Sequence, residues 1–97
     1  MLSPEEIRNW ADAITTGSTL KLVKFCHPPS KRSGRTVAQV IFVEGSNEYR
    51  VWVFPEFNII YVDVLHEGVE DETKLFRGPV TRRSFESISL ILRHLQS

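Results

Sequence analysis

Between His27 and Arg35 the chain reads His-Pro-Pro-Ser-Lys-Arg-Ser-Gly-Arg, and its prolines, serines and glycine mark an exposed loop. Lys31, Arg32 and Arg35 project from it, and Lys21 and Lys24 precede it on what reads as a strand. Such a cluster attracts phosphate, because each Lys or Arg that neutralises a nucleic-acid phosphate releases a condensed counterion. A solvated basic loop with no ligand has the same composition, so the pattern suggests nucleic acid without specifying it.

A second pair of cations, Arg82 and Arg83, falls in the first turn of a C-terminal helix. The helix dipole disfavours exposed cations there by about 0.3–1 kcal/mol each. One reason to place them so is an anion, for example a phosphate, held jointly by the guanidinium groups and the free helix N–H groups. The other is pairing with the acidic turn Glu70-Asp71-Glu72, which lies close upstream and needs partners; the sequence favours this pairing.

The third feature is Arg50, Trp52 and Phe54 alternating along one side of a strand, with Tyr61 close on the next. Aromatics alternating with cations across a sheet stack unpaired bases, at about 1–3 kcal/mol per base. A core or dimer interface with one snorkelling arginine has the same pattern and is the commoner origin of it.

Enzymatic readings are thinner. Glu72-Thr73-Lys74 resembles the Glu-x-Lys of the PD-(D/E)xK nucleases, with Asp63 as an upstream carboxylate and Glu5 or Glu6 as a further acid. In that chemistry two carboxylates hold Mg²⁺ while the lysine positions the water. That family carries its Glu-x-Lys on an apolar strand, whereas here it lies in a polar acidic turn. Cys26 and His27 are adjacent on a strand and so point to opposite faces, and His66 and His94 have no ligand-like spacing with either. The expectation is a non-enzymatic protein with no catalytic residue, no metal and no cofactor.

The elements that must position these residues are legible. Ser3-Pro4-Glu5-Glu6 reads as an N-cap, a proline at the first helical position and a closing Glu, with Leu2 and Ile7 at hydrophobic-staple positions. Ile7, Trp10, Ala11 and Ile14 then make one apolar stripe, and Gly17 ends the helix. Strands follow at Thr19–Cys26, Val37–Val43, Tyr49–Phe54 and Ile59–Leu65, the second and third joined by a Gly45-Ser46-Asn47 hairpin and the last two separated by Pro55. A short fifth fits around Lys74–Arg77. Val80, Thr81 and Phe85 open a second helix, whose stripe is Phe85, Ile88, Leu92 and Leu95, widened by Ile91.

The order is α-β-β-β-β-α: one α+β domain spanning 1–97, with an antiparallel sheet of four strands, or five, and both helices most simply on one face. The second and fourth strands are apolar on both sides, so something must cover the other face. A homodimer is the simplest cover, since one self-complementary patch suffices. In element order alone the chain is similar to α-β-β-β-α nucleic-acid modules, such as double-stranded RNA-binding domains and the small Alu-domain proteins of the signal recognition particle, with one strand more. Its second helix lacks the Gly- and Lys-rich opening of the double-stranded RNA module.

Twelve acids and twelve bases cancel, yet they are sorted. Residues 18–43 hold five cations and no acid, and residues 44–72 hold eight acids and one cation. Separated patches steer charged partners even at zero net charge. A single cysteine excludes an internal disulfide, no apolar run approaches a membrane span, and Met1 leads straight into a helix signal, so an intracellular protein is expected. Two functions survive. One is binding of DNA or RNA through Lys21, Lys24, Lys31, Arg32 and Arg35, extended by Arg82 and Arg83. The other is a protein-interaction module or inhibitor, such as a small viral or mobile-element regulator, acting through its apolar sheet face or acidic stretch.

Overall fold

The computed structural model describes the backbone of residues 3–32, 35–70 and 74–96, and the side chains of residues 3–25, 37–69 and 74–96. Helix α1 (Pro4–Thr15) starts where the capping signal predicts: Ser3 Oγ accepts from the Glu6 N–H at 3.1 Å, and Pro4 sits where its missing N–H costs nothing. Gly17, just past the end, takes a φ of 70°, the left-handed conformation that favours glycine. Helix α2 (Arg82–Leu95) opens on Thr81, whose Oγ1 accepts from the Ser84 N–H at 3.2 Å.

Between the helices lie β1 (Lys21–Arg32), β2 (Arg35–Glu44), β3 (Asn47–Phe54), a 3-10 turn at Pro55–Phe57, β4 (Ile59–His66), β5 (Val69–Glu70) and β6 (Phe76–Gly78). All pairings are antiparallel in the order β1-β2-β3-β4, and the outer edge of β4 is shared. β5 lies against Leu65 and His66, and β6 against Ile60 to Val62. The chain is thus a single α+β domain, as its pattern predicts. Its Cα radius of gyration of 12.6 Å matches the roughly 13 Å expected of about 100 residues. The expected fifth strand is β6, displaced from Lys74–Arg77 to Phe76–Gly78, and β5 is an addition.

One segment departs from expectation. The stretch read as a loop from His27 to Arg35 continues the first strand: β1 runs on to Arg32, with Lys31 opposite Thr36 and Arg32 opposite Arg35. Proline cannot donate to a ladder, and Pro28 and Pro29 fall in the register shift between Cys26 and Ser30, where the ladder is interrupted anyway. Ser33 and Gly34 lie outside the described residues. At the β2–β3 hairpin the two-residue turn puts Gly45 at a φ of 59°, which a side chain would strain.

Strand alternation divides the sheet into two faces. Ala38, Val40, Phe42, Tyr49, Val51, Val53, Ile60, Val62 and Val64 turn to one side, where they form a single core with Ile7, Ala11 and Ile14 of α1 and Phe85, Ile88 and Leu92 of α2. Trp10 joins the helices through its indole N–H, which donates to Phe85 O at 3.0 Å and Ser89 Oγ at 2.7 Å, while its ring meets Phe42 and Phe85 edge-on. Both helices therefore cover the same face. Among the described residues no helix is long and apolar enough to cross a membrane.

Candidate functional site

The alternate residues of the same strands form the helix-free face, and the register aligns them in rows. Lys24, Ile41, Arg50 and Asp63 make one row; Gln39, Trp52, Tyr61 and Arg77 make the next. Phe54 stands opposite Ile59 at the following step. Directly opposed side chains in a sheet are close enough to touch, so this register turns a dispersed set of residues into neighbours.

At the centre lies Asp63, 2% exposed. Arg50 clasps it with both ends of the guanidinium, Nε to Oδ1 at 2.8 Å and Nη2 to Oδ2 at 2.7 Å. The Trp52 indole N–H donates to Oδ1 at 3.3 Å, and Lys74 Nζ lies 3.5 Å from Oδ2. A carboxylate taken from water needs such partners, and the bidentate arginine is the strongest on offer. Two cations on one carboxylate leave the cluster with an excess positive charge at the surface, carried by Lys74, whose side chain is 42% exposed.

Three aromatic rings stand beside this cluster. Tyr61 is central, stacked on Phe54 at 5.7 Å with 23° between planes and on Trp52 at 6.3 Å with 28°. Arg50 lies over the Trp52 ring at 5.4 Å and Lys74 over the Tyr61 ring at 4.7 Å, distances at which a cation is attracted to the ring face. The aromatic row opens into a concavity of about 460 Å³ lined by Phe54, Phe57, Ile59, Tyr61, Lys74 and Arg77.

The alternation Arg50, Trp52, Phe54 with Tyr61 is thus one constellation, and it lies outside the hydrophobic core, one of the two commoner origins of its pattern. Lys21 and Lys24 are exposed, opposite Val43 and Ile41, and share this face. Lys31, Arg32 and Arg35 have paired backbones at the far end of the β1–β2 ladder; their side chains are outside the described residues.

Arg82 and Arg83 belong to the helix layer, so they do not extend a track across the helix-free face. Arg82 Nη2 is 2.6 Å from Glu6 Oε2 on α1, an interhelical ion pair that the sequence did not anticipate. The reason is that α1 and α2 pack side by side, which brings a Glu distant in the chain within reach of Arg82. Asp71 and Glu72 of the acidic turn, and the Glu70 side chain, lie outside the described residues. Arg83 is exposed.

Lys74 does approach Asp63, as the nuclease comparison required, but Arg50 already occupies both oxygens of that carboxylate. Among the described residues no three His, Cys, Asp or Glu side chains group to hold a metal ion. His66 Nδ1 lies 2.6 Å from Asn47 Oδ1, His94 is exposed, and the Cys26 and His27 side chains are outside the described set.

Sequence reasoning missed Lys74, Arg77, Phe57 and Asp63 as members of the constellation. Asp63 had a signal: it is two residues from Tyr61 and so shares its side of β4, facing the arginine of β3. Arg77 had none, because its position depends on β6 returning to β4 rather than on any local period. Comparison with protein-family models, with curated proteins and with solved structures finds no match.

Proposed function

We propose that this is a non-enzymatic nucleic-acid-binding protein that takes a single strand across the helix-free face of its sheet. The observation that carries the reading is the row Phe54–Tyr61–Trp52, stacked on the one sheet face without helices and edged by cations. Unpaired bases stack on such rings whatever their identity, and lysines and arginines on either side follow the phosphates. Lys74 and Arg77 stand at the β6 edge, Lys21 and Lys24 at the β1 edge. With β2, β3 and β4 between them, the two edges are about 19 Å apart at the usual strand spacing. Lys31, Arg32 and Arg35 on the β1–β2 hairpin extend the basic edge in this reading.

Fluorescence anisotropy with single- and double-stranded DNA and RNA, at about 50 and 200 mM salt, tests it. Single strands bind preferentially and weaken steeply with salt, and Tyr61→Ala or Trp52→Ala costs about tenfold to a hundredfold in affinity. Replacing Lys31, Arg32 and Arg35 by Ala flattens the salt dependence. Equal affinity for duplex, or no binding at the lower salt, overturns the proposal.

A second reading, docking on a protein or a second copy of the chain, draws on Ile41, Val43, Ile59 and Leu65, which lie on the same face. Light scattering separates it: a stable dimer that Ile59→Glu dissociates supports this reading against the first.

A further inference from the structure

The concavity beside the aromatic row has a composition that the rest of the sheet face does not repeat among the described residues. Phe54, Phe57, Ile59 and Tyr61 give it apolar walls, Lys74 and Arg77 give it two cations, and among the described residues no acid lines it. Phe57 is 54% exposed, a large aromatic placed by the 3-10 turn at Pro55–Phe57 outside the core. Asn58 keeps that turn in place: it takes a φ of 50°, and its Oδ1 accepts from the Val80 N–H at 3.1 Å, tying the turn to the start of α2.

The charges decide what chemistry fits. Arg50 satisfies both oxygens of Asp63, so Lys74 is held there only as a second cation at 3.5 Å. Arg77 is exposed and forms no ion pair among the described residues. An occupant that brings negative charge meets two cations here, and a flat apolar surface meets the aromatic walls. A volume of about 460 Å³ sits in the range of small-molecule sites, roughly 300–1,000 Å³, and holds one such unit.

We infer that this concavity is a subsite for a single nucleotide: the base lies against Phe54 and Phe57, the phosphate lies between Lys74 and Arg77, and a free nucleoside 5′-monophosphate binds there by itself. The inference rests on the single-strand reading and narrows it, since it assigns one position on the sheet face to one nucleotide unit. Lys74 gives up part of its contact with Tyr61 when the phosphate arrives, so occupancy changes the environment of the stacked Tyr61 and Trp52.

The test is a titration of the protein with adenosine 5′-monophosphate, adenosine and inorganic phosphate, read by Trp52 fluorescence and by displacement of a labelled single-stranded oligonucleotide. The monophosphate binds and displaces the strand, and both fragments bind at least about tenfold more weakly, because each lacks half of the site. Arg77→Ala weakens the monophosphate about tenfold to a hundredfold, as loss of a charged hydrogen-bonding partner does. Phe57→Ala weakens it as well; both residues are exposed, so neither change threatens the fold. If the strand binds but the monophosphate neither binds nor displaces it, the subsite is wrong while the sheet-face reading stands. If phosphate alone binds as tightly as the nucleotide, the site is an anion site only and the inference falls. If neither strand nor monophosphate binds, both readings fall.

Discussion

On the helix-covered side of the sheet, Phe42 meets the edge of Trp10 inside an unbroken apolar core, whereas on the other side Tyr61 lies stacked between two aromatics with a lysine over its ring. The two sets of side chains come from neighbouring positions of the same strands. What differs is what each must satisfy. The covered face is built mainly of apolar side chains packed closely against one another, so its stability is chiefly a matter of volume. The open face contains a buried carboxylate, and around it the geometry is directional: Arg50, Trp52 and Lys74 each have a stated place. A core is tolerant of chemistry and strict about space; a polar cluster is the reverse.

The sharpest way to break this comparison is Phe42→Ala. It empties the centre of the covered face and should cost about 3–5 kcal/mol in urea unfolding. Tyr61→Ala on the open face should cost well under half of that while weakening strand binding about tenfold to a hundredfold. Equal stability losses would mean that the two faces share one core.

Next in size is Asp63→Ala. Breaking a buried pair costs about 3–5 kcal/mol when the surviving charge is trapped, and Arg50, with an 18% exposed side chain, escapes only in part, so a loss of about 2–3 kcal/mol is expected. The paired replacement Arg50→Met with Asp63→Leu should recover most of it. A double variant no more stable than the single one would show that the cluster holds the sheet by more than mutual neutralisation.

Trp10→Phe keeps one aromatic ring of the indole and deletes the other with its N–H donor to Phe85 O and Ser89 Oγ. A loss of about 1–1.5 kcal/mol is expected, with strand binding unchanged, because the site is on the far side of the sheet. Reduced binding would reveal coupling between the faces.

The smallest effect is electrostatic. Tyr49 is buried on the covered face, and desolvation, then the neighbouring Glu44 carboxylate, raise its pKa above the usual 10.0, against a lowering by its hydrogen bond with the Asn47 side chain. Its ionisation is easier in the unfolded chain, so its contribution is complete below pH 10 and is lost as pH rises through the higher folded value. Tyr49→Phe should flatten the fall of stability above pH 10 relative to the parent. An unchanged slope would place the alkaline loss elsewhere.

Local signals did most of the work for the helices. Ser3-Pro4 and Thr81 cap as their types require, and the stripes Ile7-Ala11-Ile14 and Phe85-Ile88-Leu92 are the buried ones, because capping and a 3.6-residue period act within a turn or two of chain. Strand alternation likewise brought Arg50, Trp52, Phe54 and Tyr61 to one face. It could not say which face the helices would cover, and so left core and binding surface undecided for those four.

What the amino-acid sequence determined by itself is therefore the element order, the α+β class and the company Trp52 keeps on its own strand, all consequences of spacing along the chain. Only the tertiary structure decided that Arg82 would meet Glu6, that Asp63 would gather Arg50 and Lys74, and that β6 would return to β4 and carry Arg77 beside Tyr61. Those are contacts between residues distant in the chain. They depend on which surfaces exclude water together, and no local period encodes that choice.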